Sequence, residues 1–208
     1  MIPVDVAAAF FATAILLGLA PGPDNIFVLT QSALRGPRAG VLVTLGLCTG
    51  LVVHTLLVAF GVAAVFAASD LAFTVLKLAG AAYLLYLAWQ AFRAPAESIR
   101  LGSAAGPGGW ALYRRGIVMN VTNPKVSIFF LAFLPQFADP ARGPLGVQMM
   151  LLGALFMLAT LLVFGGVALL AGAIGARLGG SARAQRVMNR VAGTVFALLA
   201  LKLATTSR

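Results

Sequence analysis

The chain is 208 residues long, 61% hydrophobic and only 10% charged, with a mean hydropathy of +1.01. A soluble domain carries roughly 25% charged residues, so this composition describes a polytopic membrane protein. A formal charge of +10 would suit a nucleic-acid binder, but the basic residues flank apolar runs and leave no basic soluble domain to form a groove.

A membrane span needs about 20 mostly apolar residues. Runs of that kind cover Val4 to Leu34, Gly40 to Ala68, Leu71 to Phe92, Gly116 to Phe137, Pro144 to Ile174 and Val187 to Ala204. The expected fold is therefore all-α, with six transmembrane helices in one transporter domain over residues 1–208. No Lys or Arg precedes Arg35, so the first run lacks the basic flank of a cleaved signal peptide and reads as a retained helix.

The first run is interrupted by Pro21-Gly22-Pro23-Asp24-Asn25. A proline inside a helix cannot donate to the carbonyl four residues back. Pro21 and Pro23 should free the carbonyls of Gly18 and Leu19 or their neighbours, and Pro124 in the fourth run should do the same to Asn120. Hydrocarbon offers such groups no partner, so this backbone belongs where it is packed in protein or lines a wet cavity. The helix-break residues Pro21, Gly22, Pro23 and Pro124 thus mark a candidate substrate site.

The second run carries Gly46, Gly50 and His54 at four-residue spacing, a small-residue stripe that suits close helix packing. His54 is the single histidine and has the one side chain here with an ordinary pKa near neutrality, so proton coupling is a second reading for it. Cys48, the single cysteine, excludes an intramolecular disulfide or redox pair and reads as a small buried hydrophobe. In the third run Lys77 should snorkel to an interface, and Tyr83, Tyr86 and Trp89 read as packing or interface anchors.

The fourth run is interrupted by Asn120-Val121-Thr122-Asn123-Pro124-Lys125. Asp24 and Lys125 are therefore ionisable groups at membrane depth, each costing about 2.5–3.5 kcal/mol at a helix centre unless partnered. A structural ion pair between them is the bland reading. The functional reading is a zwitterion site, in which Asp24 holds an α-ammonium and Lys125 or a half-helix N-terminus holds an α-carboxylate. Asn25, Asn120 and Asn123 either satisfy freed backbone or touch the ligand.

Arg35, Arg38, Arg93, Arg100, Arg114, Arg115, Arg177, Arg183, Arg186 and Arg190 lie in or beside the first, third and fifth connections. The positive-inside rule then places both termini outside the cytoplasm, with Lys202 and Arg208 weighing the other way.

Two halves are legible: repeat 1 over about 1–93, a Gly/Pro/Ala/Ser-rich linker over about 94–109, and repeat 2 over about 110–208. Pro23-Asp24 matches Pro124-Lys125, and Lys77-Leu-Ala-Gly80-Ala-Ala-Tyr83-Leu-Leu85 matches Arg190-Val-Ala-Gly193-Thr-Val-Phe196-Ala-Leu198. Repeats of three helices must run in opposite directions, the inverted plan of many secondary transporters.

The motifs resemble those of the lysine exporter (LysE) superfamily, in its homoserine/threonine-resistance (RhtB) branch. The residues that carry the resemblance are Pro21 to Asn25, Arg35-Gly-Pro-Arg38-Ala-Gly40, the Gly46, Gly50, His54 stripe, Leu76-Lys77 to Tyr86, Asn123-Pro124-Lys125, and Phe129-Phe130 to Phe137. The resemblance implies export of amino acids through the bacterial inner membrane, driven by protons. With Asp24 balanced by Lys125, a neutral or hydroxyl-bearing amino acid of the threonine or homoserine type is expected, and Asp24 and His54 are the candidates for proton coupling.

Alternatives are export of basic amino acids, export of a metal ion, and a non-transporting membrane subunit. Five acids, one His and one Cys make a metal site poor, and no nucleotide-binding loop is present. No cofactor and no enzymatic activity are expected; His54 and Ser127 offer only a weak hydrolase constellation. The expected partners are an amino-acid substrate and the lipid bilayer, with no nucleic acid, and a second copy of the chain is left open.

Overall fold

The computed structural model describes residues 2–20, 22–68, 70–94, 108–178 and 182–205. Pro21, Arg100, Arg208 and all of the expected linker except its two ends lie outside the described residues. Every regular element among the described residues is helical. In chain order they are α1 (Val4–Leu19), α2 (Pro23–Arg35), α3 (Pro37–Ala68), α4 (Asp70–Arg93), α5 (Gly109–Val121) and α6 (Pro124–Ile128). A π-helical turn, Phe129–Phe133, and two 3-10 turns, Leu134–Phe137 and Pro140–Arg142, lead into α7 (Leu145–Leu178) and α8 (Ala182–Thr205).

These helices fall on the apolar runs, and the breaks fall where proline interrupts them. α1 and α2 are bent by 63° to one another, and α5 and the segment from Pro124 to Phe137 by 49°. Among the described residues, α3 over Pro37–Gly61 and α7 over Leu145–Ala171 are long and apolar enough to cross a membrane by themselves. Each bent pair qualifies as a further span when its two helices are taken together. α5 begins seven residues before the run that was read as a span, because its first turns carry Trp110, Arg114 and Arg115, which lower the apolar signal without breaking the helix.

α3 is the hub: α2, α5 and α7 pack on it, while α1 lies on α7 and α4 pairs with α8. The glycine stripe of α3 explains the tightest of these contacts. A Cβ on Gly46 would collide with the carbonyl oxygen of Tyr113, and one on Gly116 with that of Val43, so α3 and α5 meet backbone to backbone. Four residues on, a Cβ at Gly50 would stand 2.7 Å from the Asn120 side chain. Gly36, at φ 84, adopts a left-handed backbone that favours glycine and turns α2 directly into α3.

The larger apolar core is aromatic. Phe10, Phe129, Phe130, Phe133, Phe137 and Phe156 are buried together, with ring centroids 4.9–6.4 Å apart. This cluster lies between the second break and the Asp139–Gly143 turn. A smaller cluster around Val28, Val43, Leu47, Leu112 and Phe164 fills the other side, where α2 ends and α5 begins. Tyr86 and Trp89 face outward on α4, and the Arg93 guanidinium lies 4.7 Å over the Trp89 ring.

Candidate functional site

Both breaks restart the helix in the same way. After α1, Gly22 is the N-cap of α2, Pro23 takes the first helical position and Asp24 the second. After α5, Asn123 is the N-cap of α6, Pro124 takes the first position and Lys125 the second. Proline is well placed there, because the N–H it lacks would have no intrahelical partner. The sequence therefore puts an ionisable residue in the first turn behind each break, acid in one and base in the other.

The two first turns meet. Asn123 donates its amide to Asp24 Oδ2 at 2.8 Å, and its side-chain oxygen accepts from the Lys125 backbone N–H at 3.0 Å. Asp24 and Lys125 do not form an ion pair with one another, whereas Arg142 and Asp139 pair at 2.9 Å. Lys125 Nζ instead donates to the carbonyls of Leu17 at 3.4 Å and Ala20 at 3.3 Å. The cation thus sits at the carbonyl-bearing end of α1, while the carboxylate sits at the amide-bearing end of α2, where each helix dipole favours it.

Carbonyls around both breaks are found in use. Asn25 Nδ2 donates to Gly18 O at 2.6 Å, beside the Leu17 and Ala20 carbonyls held by Lys125. Asn120 O accepts from Asn123 N at 3.0 Å and from His54 Nε2 at 3.2 Å. A carbonyl only accepts, so that contact assigns the Nε2 proton to His54. The imidazole also lies against Phe130, with ring centroids 5.6 Å apart. Gly22 leaves room for the lysine head: a Cβ there would be 3.2 Å from Lys125 Nζ.

Asp24, Asn120, Asn123, Lys125 and His54 are all buried, Asp24 to 2% exposure, and Asn25 is half-buried. Yet four buried side-chain oxygens have no hydrogen-bond partner among the described residues: Asp24 Oδ1, Asn25 Oδ1, Asn120 Oδ1 and Gln31 Oε1. Leaving a buried acceptor unpaired costs about 1–3 kcal/mol. All four are acceptors, so a ligand that completes them must bring donors. An ammonium group is the simplest such ligand.

Of the residues singled out in the sequence, Asp24, Asn25, Asn120, Asn123, Lys125 and His54 are joined through direct hydrogen bonds or shared break segments, as are Gly22, Pro23 and Pro124. Pro21 lies outside the described residues. Ser127 Oγ donates to Asn123 O at 3.1 Å and His54 to Asn120 O, so these two side chains serve separate backbone groups. Gln31 was missed, although its spacing of seven from Asp24 puts both on one face of α2. Among the described residues, no three His, Cys, Asp or Glu side chains gather where a metal could bind.

The profile of the LysE type translocator family matches residues 15–207. The chain belongs to this family. The LysE-type chain is 38% identical to the homoserine/homoserine lactone efflux protein of Salmonella typhimurium over 198 residues, 95% of each chain. It is 34% identical to an uncharacterized membrane protein of Vibrio cholerae, over 97% of this chain and 98% of that one. A leucine efflux protein of Salmonella typhi is 30% identical, over 94% and 93%. No solved structure matches this LysE-type chain.

Proposed function

We propose that this chain is a secondary exporter of neutral or hydroxyl-bearing amino acids in the bacterial inner membrane, driven by protons. The observation that carries the reading is the set of unpartnered acceptors, Asp24 Oδ1, Asn25 Oδ1 and Asn120 Oδ1, where two broken helices meet. The efflux activities in the names of two relatives agree with it.

Asp24 binds the substrate ammonium, and the two asparagine oxygens complete its shell. Lys125 has three N–H donors, of which two are given to α1; the third is available for the substrate carboxylate. Asn123 orients both charges. Proton coupling follows if Asp24 takes either a proton or an ammonium, never both together, with His54 as the second titratable group at the break. The driving force then enters as competition for one carboxylate.

In this reading the chain spans the membrane six times as two inverted three-helix repeats, with both termini outside and the first, third and fifth connections in the cytoplasm. The identical form of the two breaks supports it. So does the packing: α1 and α2 on α7 parallel α5 on α3, and α3 with α7 and α4 with α8 are self-corresponding pairs. Gly80 and Gly193, matched in the sequence, are both points of close approach, to Ala132 and to the Phe92 ring. The aromatic cluster then closes the outer side of the site and must part during export.

The test is efflux of labelled amino acids from proteoliposomes, with and without a proton gradient, for native protein and Asp24→Asn. Gradient-dependent efflux of one amino-acid class that the variant loses is the expected result. Folded native protein that moves no amino acid would overturn the proposal.

A further inference from the structure

Asp24, Phe27 and Gln31 are spaced three and four residues apart, which puts them on one face of α2. Across from Phe27, on α5, the Arg115 guanidinium lies 4.7 Å over the ring centroid. Arg115 is exposed and has no carboxylate partner among the described residues. Its backbone is held in place, because Gly116, the next residue, is locked against α3 at the Gly46 contact. One turn further along α2, Gln31 Oε1 is buried without a donor. A planar cation parked on an aromatic face beside an unpaired acceptor is a site for a molecule with both a carboxylate and donors.

We propose that Arg115, Phe27 and Gln31 form an entry station for the exporter described above, on the side where α2 ends and α5 begins. Arg115 leaves the Phe27 ring to take the substrate carboxylate in a two-point hydrogen bond, while Gln31 accepts from the ammonium or a side-chain hydroxyl. The substrate then moves along the α2 face to Asp24, about 10 Å away at 1.5 Å per residue. Phe27 holds the guanidinium extended between turnovers. The station explains why a polar oxygen is buried at Gln31, where no described protein group uses it.

This inference rests on the exporter reading, and one experiment separates the two. Efflux rates are measured from proteoliposomes loaded with increasing homoserine, for native protein, Arg115→Gln, Arg115→Lys and Gln31→Leu. The expected result is a half-saturating concentration raised about tenfold in Arg115→Gln, with the maximal rate within about threefold of native, since a charge-assisted contact made on entry is lost. Arg115→Lys should recover most of the loss, and Gln31→Leu should raise the half-saturating concentration at an unchanged maximal rate. A half-saturating concentration for Arg115→Gln within about twofold of native, a fall confined to the maximal rate, or indistinguishable Gln and Lys variants would each overturn the station while leaving the exporter standing. Native protein without saturable efflux of any amino acid would remove both.

Discussion

Asn123 touches Asp24 with its amide nitrogen and the Lys125 backbone with its amide oxygen, so one side chain joins an acid and a base that lie on different broken helices. Neither end of that amide can be exchanged without losing a bond. Asn123→Ala should cost about 1–2 kcal/mol of stability, from a lost N-cap and a second Asp24 oxygen left unpaired. Asn123→Asp keeps the cap but faces Asp24 with a like charge. Thermal unfolding in detergent should rank native above both variants, and efflux by Asn123→Asp should improve on acidification.

The contact of Gly46 with Gly116 has no slack. Gly116→Ala would press a methyl group into the Val43 carbonyl and should cost about 1–3 kcal/mol, by forcing α3 and α5 apart. Gly165 and Gly166 provide the control, since a Cβ at either meets nothing within 4 Å. Alanine there should stabilise α7 by about 0.5–1 kcal/mol through helix propensity alone. Melting temperatures of the three variants decide the matter.

Gly22 should be as intolerant as the prolines beside it, for a reason of space rather than of backbone freedom. Its φ of −169 is ordinary extended backbone. A methyl group 3.2 Å from Lys125 Nζ would make the ammonium give by a few tenths of an ångström, enough to stretch its already long bonds to the Leu17 and Ala20 carbonyls. Gly22→Ala and Lys125→Met should therefore share a phenotype, namely reduced efflux with retained expression. Efflux by Gly22→Ala equal to native would show that the lysine head need not stay where it is.

His54→Gln can still donate to the Asn120 carbonyl, so the fold should survive the change. The pH profile of efflux should nevertheless shift, because the replacement does not titrate. A profile identical to native would leave His54 with packing as its whole function. Asp24→Asn should differ in kind, removing the response to the proton gradient altogether.

Asp139 caps the Pro140–Arg142 turn. The Ala141 backbone N–H and the Arg142 guanidinium hold its carboxyl below the usual range. A depressed carboxyl contributes above its ordinary pKa, and the contribution fades as pH falls through the lowered value. The turn should stay formed at pH 5 to 7, and a carboxyl titration by NMR should find the Asp139 midpoint below the ordinary aspartate range.

Much of this was open to reading from the chain. Prolines fix helix starts chemically, and Pro23 and Pro124 each became a first helical residue. The Gly46, Gly50, His54 stripe announced a close partner, and α5 is that partner. What composition could not give was the partner of each charge. Hydropathy places Asp24 and Lys125 at depth, but whether they pair depends on a bend angle and on Asn123, which stands between them. Gln31 and Arg115 escaped because each is commonplace alone: a polar residue in a mixed helix, a basic residue near a connection. Only the fold sets Arg115 over Phe27, on the helix face that also carries Gln31.

The two breaks share a form but carry opposite charges. A symmetric pair of identical three-helix chains would have to repeat one residue at both places, and would bring two acids or two bases face to face in a medium that cannot screen them. Housing both breaks in one polypeptide lifts that obligation. Residues 24 and 125 were free to become Asp and Lys, so two related stretches of backbone can present opposite charges.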